Sequence, residues 1–300
     1  MTGLASWWVA LASREEDARP LALVRIGVAL AALLDLLRAA QLGLVGVVFQ
    51  TYEHGGLSQK QDPGYVLNLL WDSPLVGPTV WAVTVVCMGL VAAGVATRPA
   101  TLLGVLTYAQ LGHLYPPGDR AIDRILRTLL LILMCSDAHR RLALGGGAAL
   151  ARIRAWPGDL IRNFLIIIYL SAGLGKVMQQ PAWLSMSGTP VLYRVMTDPL
   201  SAHLDPEVAL PGWWLFRVMG WATIALELSA PLLYTRLAPL WAVFGVVMHV
   251  GIYVTMDLGM FSWGMLSTYP LVLAPWWLPV WDRWTSEGAH PTIRKGGYGP

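Results

Sequence analysis

The stretch Leu160 to Met178, LIRNFLIIIYLSAGLGKVM, is apolar over nearly its whole length, with Arg162 at its start and a single lysine, Lys176, close to its end. A helix needs about 20 mostly apolar residues to cross the hydrocarbon layer of a membrane, and this run has that length. Working outward, runs of the same kind lie at Leu21 to Leu37, Leu75 to Ala96, Ala100 to Tyr115 and Ala121 to Leu142 before it, and at Trp213 to Tyr234, Leu237 to Met256 and Phe261 to Val280 after it. Proline, glycine or charge separates each run from the next. The sequence therefore predicts an all-α integral membrane protein, a bundle of about eight transmembrane helices. Leu42 to Phe49 is apolar but too short to cross, and is expected to lie at the interface or re-enter before a loop from Thr51 to Ser73.

Composition points the same way. Of the 300 residues 56% are hydrophobic and 13% charged, with a mean hydropathy of +0.55, whereas soluble domains carry about 25% charged residues. A water-soluble globule, a disordered chain, collagen and a disulfide scaffold are excluded. The 15 Trp and 20 Pro suit a chain with interfacial aromatic belts and with prolines in and beside spanning helices. A formal charge of +3 without any Lys/Arg run gives nucleic acid nothing to track.

The basic residues set an orientation. With a cytoplasmic N-terminus the inner segments hold twelve of the 21 Lys and Arg, among them Arg14, Arg19, Arg98, Arg140, Arg152 and Arg162, and the outer segments hold Arg38, Lys60, Arg120 and Arg194. That asymmetry obeys the positive-inside rule. An odd number of spans would break it, so both termini are expected in the cytoplasm and the long segments near Thr51 to Ser73 and Gln179 to Gly212 outside the cell membrane. The chain then divides into an interfacial N-terminal segment (1–20), a transmembrane domain (21–280) and a cytoplasmic tail (281–300). Leu4 to Ala12 lacks a preceding basic residue and is followed by Arg14-Glu15-Glu16-Asp17, which argues for an interfacial helix rather than a cleaved signal. Cys87 and Cys135 fall inside predicted spans and read as packed thiols, away from the oxidising face.

Ionisable side chains in hydrocarbon cost several kcal/mol, on the order of 3 or more, and normally face partners or a wet cavity. Several survive here: Arg25 and Asp35 in the first span, Asp123, Arg124 and Arg127 in the fourth, Lys176 in the fifth, Arg217 and Glu227 in the sixth and His249 in the seventh. Following each span's direction places most of them in the outer half, where a cavity beneath the long outer segments would hold them. Ion pairing between helices and snorkelling to the headgroups explain the arginines equally well. His113 and His249 could in principle ligate a haem between helices, but nothing around them supports it. No metal-ligand spacing, nucleophile elbow, phosphate loop or dinucleotide fingerprint occurs, and no metal is predicted. Lys176 follows Ser171-Ala172-Gly173-Leu174-Gly175, small residues that permit close helix approach. A lysine desolvated there could serve as a general base; one snorkelling to the outer interface would not.

Five motifs now fall into register. Met134-Cys135-Ser136-Asp137-Ala138-His139, Tyr169 to Lys176 followed by Trp183, Leu226-Glu227-Leu228-Ser229-Ala230, Met248-His249 and Gly259-Met260-Phe261-Ser262, together with the Arg25 helix bearing Asp35 and Arg38, resemble the HTTM-domain family, which includes vitamin K-dependent gamma-carboxylase. The resemblance runs from about residue 20 to residue 280. It implies a multi-pass membrane enzyme of lyase or quinol-linked oxidase type with reduced vitamin K or menaquinone as cofactor. In that family the lysine matching Lys176 deprotonates the hydroquinone, which marks Lys176 and His249 as candidate catalytic residues. Glu227 and Trp183 join them as cavity residues, and Arg124, Arg127 and Arg217 would hold an anionic oxygen. The chain departs from the carboxylase in showing Asp123-Arg124 where an Asn-His pair stands and in ending at Pro300 without a large lumenal portion, so a quinol, a lipid or a small peptide fits better than a protein glutamate. The resemblance also leaves a second reading, a non-catalytic accessory protein like the related SdpB group that assists a secreted peptide. Transport is disfavoured, because no paired broken helices occur in matching halves. Trp183, Trp213 and Trp214 form either an interfacial belt or a lid.

Overall fold

The computed structural model describes residues 2–58, 73–145, 150–199 and 201–287. The chain is mostly helical: α1 (Thr2–Ser13), α2 (Ala18–Gln41), α3 (Val76–Ala93), α4 (Thr97–Leu114), α5 (Ala121–Met134), α6 (Trp156–Met178), α7 (Val191–Met196), α8 (Trp213–Leu228), α9 (Ala238–Thr255), α10 (Phe261–Leu266), α11 (Tyr269–Val272) and α12 (Ala274–Glu287). Two three-residue strands, β1 (Glu15–Asp17) and β2 (Arg152–Arg154), pair antiparallel. Among the described residues, four helices are long and apolar enough to cross a membrane, namely α2, α3, α6 and α9. Residues 59–72 and 288–300, which carry Lys60 and most of the expected cytoplasmic tail, lie outside the described residues.

Local chemistry starts and stops these helices. Asp17 caps α2, its Oδ1 accepting from the Arg19 backbone N–H at 2.8 Å, which satisfies a donor that the first turn leaves free. Gly94, at φ +75°, ends α3 and donates to the carbonyls of Leu90 and Val91, a left-handed cap that suits glycine. Asp123 Oδ2 accepts from the Arg120 N–H at 2.8 Å and so caps α5 from within.

The bundle is built round α2, whose Leu21, Val24, Val28 and Ala32 are fully buried against α3, α5, α10 and α11. The outward faces are different. Leu102, Leu103 and Leu106 of α4 and Val243, Phe244, Val247, Val250 and Val254 of α9 are exposed apolar side chains, the surface that lipid rather than water would cover. Charged side chains collect at the two ends. At the end where α2 and α6 begin, Arg14 pairs with Asp159, Arg162 with Asp159 at 2.9 Å and Glu16 at 3.0 Å, and Arg19 with Asp17 at 2.7 Å and Asp282 at 2.5 Å. Burial pushes the Glu16 carboxyl above its ordinary range although Arg162 opposes it, so the ionised Glu16 depends on that arginine. At the other end Arg120 bridges Asp35 and Asp123, Arg38 meets Asp257 at 2.9 Å, and Ala202 pairs with Met256.

Four sequence expectations are corrected. The fourth run stops at Met134 rather than Leu142, because Ser136 turns the chain: its Oγ donates to the Leu133 carbonyl at 2.6 Å and accepts from Ala138 N at 3.1 Å. Cys135 is consequently exposed just past the helix rather than packed within it, while Cys87 is buried in α3. The last run is not one helix but α10, α11 and the start of α12. Pro270 and Pro275 each sit at a helix start, where a residue without an N–H, which also disfavours helical backbone before it, cannot continue a preceding helix. The sixth run continues past α8 only as a 3-10 turn, Ala230–Tyr234.

Candidate functional site

A cavity of about 840 Å³ lies between α6, α8 and α9, closed on one side by α7 and Trp183 and on another by Phe261. Helical spacing puts its walls in place. Tyr169, Ala172 and Lys176 of α6 are three and seven residues apart, and Met219, Ala222, Leu226 and Glu227 of α8 follow the same rhythm, as do Trp241, Phe244, Met248 and Ile252 of α9. Gly173 sets the approach of α6 to α8. A Cβ there would stand 2.9 Å from Leu228 Cδ2 and 3.1 Å from Glu227 Cβ, so a larger side chain would push the two helices apart. The lining is mostly apolar: the hydroxyls of Thr223 and Ser229 are spent on the Met219 and Leu226 carbonyls of their own helix turn, and the other polar groups form two stations.

The first station is the pair Lys176–Glu227. Lys176 Nζ donates to both carboxylate oxygens of Glu227, at 2.6 Å and 2.8 Å, and both side chains are largely buried, 19% and 8% exposed. Trp183 covers the ammonium, 5.4 Å from Nζ to the ring centroid, and is itself fixed by its indole N–H donating to Gln180 Oε1 at 2.9 Å. Two opposite charges held this closely offset the cost of removing each from water, and the aromatic face adds a cation–π contact.

The second station is a chain of three side chains. His249 Nε2 lies 2.6 Å from the Tyr169 hydroxyl, which lies 2.9 Å from the Tyr269 hydroxyl. Trp241 stands edge-on to Tyr169 at 4.9 Å and donates its indole N–H to the Leu226 carbonyl at 3.0 Å, locking the ring. His249 is 1% exposed and lines the cavity, and its buried Nδ1 has no hydrogen-bond partner among the described residues.

The structure gathers Lys176, Glu227, Trp183 and His249 in the lining of one cavity. It does not bring Arg124, Arg127 or Arg217 there. Arg124 and Arg127 both bind Asp119, at 3.0 Å and 2.8 Å, with Arg127 also lying over the Tyr108 ring. Arg217 donates to the carbonyls of Met186 and Gly188 and stacks on Trp213, which ties the segment before α8 to that helix. Anion binding in the cavity by these arginines is not what the geometry provides, because each has a nearer acceptor. Tyr169 and Tyr269, which complete the second station, were not expected from the sequence. Tyr169 opens the motif that ends at Lys176, and Tyr269 gives no signal beyond a hydroxyl in an apolar run. Among the described residues no cluster of three or more His, Cys, Asp or Glu could hold a metal ion.

A family model described as HTTM domain matches residues 13–277. The chain is a member of the HTTM family. No curated protein and no solved structure matches it. In this HTTM protein the matched region takes in β1, the helices from α2 to α11 with the first residues of α12, and both polar stations, so the cavity lies within the matched residues.

Proposed function

We propose that this HTTM protein is a multi-pass enzyme of the cell membrane that takes an isoprenoid quinol or a similar lipid-like molecule into its cavity, with Lys176 as proton acceptor. The carrying observation is a close ammonium–carboxylate pair set in the wall of a mostly apolar cavity large enough for a quinone ring and part of its chain. In the resting pair Lys176 holds the proton. Entry of an apolar molecule expels water and makes two adjacent charges more costly relative to two neutral groups. The ammonium proton then passes over 2.6 Å to Glu227, and the free amine accepts the proton of the substrate hydroxyl, leaving an anionic oxygen beside an ammonium and a neutral carboxyl. Reduced menaquinone or vitamin K hydroquinone is the fitting partner chemistry, as in the family's carboxylase member. The Arg19–Asp282 pair, which holds the start of α2 and the last helix at one end of the bundle, supports an even number of crossings, and the distribution of basic residues supports cytoplasmic termini, which would open the cavity toward the extracytoplasmic segment 179–212.

Oxygen uptake by purified protein supplied with reduced menaquinone or vitamin K hydroquinone tests this. The wild type is expected to consume oxygen, and Lys176→Met to lose at least about a hundredfold of that rate, the scale of a general base. Because the single variant leaves Glu227 unpaired, the double variant Lys176→Met/Glu227→Met is measured beside it to separate lost chemistry from lost folding. Equal uptake in all three would contradict the role of Lys176. No uptake in any folded form would favour an accessory protein serving a small secreted peptide.

A further inference from the structure

We infer that the cavity opens sideways into the bilayer through a slit between α8 and α9, and that its ligand slides in from the lipid head first and leaves its apolar tail in the slit. The inference rests on the quinol-like reading of the cavity and adds to it a route and an orientation. It starts from residues that line the cavity and yet lie on the outside of the bundle. Met219 and Ala222 of α8 and Phe244 and Val247 of α9 do both, and a side chain that faces a cavity and the surroundings at once stands at its mouth. All four are apolar, so the mouth suits hydrocarbon rather than water.

The two helices are tied at each end and parted between. At one end the Trp241 indole N–H donates to the Leu226 carbonyl at 3.0 Å. At the other, the His203 N–H donates to the Thr255 carbonyl at 2.9 Å and the Asp257 N–H to the Ser201 carbonyl at 2.8 Å, while Met256 packs on the small core of Met196, Ala209 and Phe216. Between these ties no hydrogen bond joins α8 to α9 among the described residues. Gly251 lies in this interval and lines the cavity, and a Cβ added there would meet nothing within 4 Å. Glycine weakens a helix interior and in membranes usually serves a close helix approach. No neighbour is close here, so what the missing side chain leaves is the gap itself. Polarity runs across the cavity in the matching sense. The Lys176–Glu227 pair sits where α6 and α8 come together at Gly173, and His249 is buried against Tyr169, so the polar groups are on the inner wall and the mouth is apolar. The cavity, of about 840 Å³, takes a quinone ring and part of an isoprenoid chain. The rest of the chain stays in hydrocarbon when it leaves through the slit, and no apolar surface is given up to water.

Gly251→Leu and Ala222→Leu fill the slit from its two sides, and Val250→Leu, exposed on α9 but off the cavity, is the control. Full-length proteins in lipid nanodiscs, shown to be folded by their melting temperatures, are titrated with two probes: menaquinone with its full tail, and a menaquinone with a single isoprene unit, which fits inside. At equilibrium both slit variants are expected to bind the long-tailed probe about tenfold more weakly than the wild type, the scale of forcing extra carbons into an occupied space. They are expected to match the wild type in affinity for the short-tailed probe while binding it more slowly, and Val250→Leu to match the wild type in everything. An equal loss for both tails, or no loss for either, would overturn the slit as the place of the tail. If the wild type binds neither probe, the quinol-like reading fails, and the opening is then judged alone by a nitroxide attached through Gly251→Cys in a Cys135→Ser background, Cys87 being buried. Relaxation by dissolved oxygen and not by a water-soluble nickel chelate would uphold a mouth in lipid; relaxation by the chelate would overturn it.

Discussion

Replacing Lys176 by methionine is expected to destabilise the protein by about 3–5 kcal/mol, the usual cost of breaking a buried ion pair from one side. Glu227 is 8% exposed in its side chain and both of its oxygens bind the same ammonium, its one hydrogen-bond partner among the described residues, so the variant strands a carboxylate in a mostly apolar wall. Glu227→Met should do comparable harm by stranding the ammonium, somewhat less because Lys176 is the more exposed partner and retains the face of Trp183. The double variant Lys176→Met/Glu227→Met should recover most of the loss, since apolar residues of similar volume often replace a buried pair at little cost. Thermal or denaturant unfolding in detergent of all four proteins forms a complete cycle. Additive losses, with the double variant the least stable, would show that the two residues do not act as a pair.

The second large effect is expected at the cluster round Arg120. Arg120 joins Asp35 of α2 to Asp123 of α5, and Asp123 in turn accepts from the Tyr108 hydroxyl of α4 at 2.6 Å. Arg120→Met leaves two carboxylates facing each other and is expected to cost about 2–3 kcal/mol, toward the lower side of the range for buried pairs because Arg120 is 39% exposed and water screens it. Arg120→Lys should restore little, as a single ammonium lacks the planar fork that reaches two carboxylates at once. Adding Asp35→Asn to Arg120→Met should recover part of the loss by removing the repulsion. If Arg120→Met melts with the wild type, this three-helix clasp contributes nothing.

The fold was legible because hydrophobic length is a strong signal: Leu160 to Met178 falls within α6 and Leu237 to Met256 differs from α9 by only one residue at each end. Legibility failed where short-range chemistry overrides hydropathy. Ser136 ends α5 by turning back on Leu133, and Pro270 and Pro275 divide the last run, although the residues around them are as apolar as a spanning helix. The site was half legible. Lys176, Glu227 and His249 stand out as ionisable groups in apolar runs, yet nothing in a linear sequence states that Lys176 and Glu227, 51 residues apart, meet face to face. The arginines misled for the converse reason. Arg124 and Arg127 look unpaired within a span, but Asp119 lies five and eight residues before them, in reach once the chain turns into α5. The tyrosines 169 and 269 carry no charge, so only the three-dimensional chain of hydroxyls reveals them.

The central claim is that the cavity between α6, α8 and α9 takes an isoprenoid quinol-like molecule. Photolabelling of the protein in nanodiscs with a diazirine-bearing isoprenoid naphthoquinone, followed by peptide mapping with and without excess menaquinone, tests this most directly. The account predicts label on cavity residues such as Trp183, Met219 and Met248, suppressed by the competitor. Label confined to outward surfaces such as Trp276 and Trp284 of α12, or label that menaquinone does not displace, would contradict it.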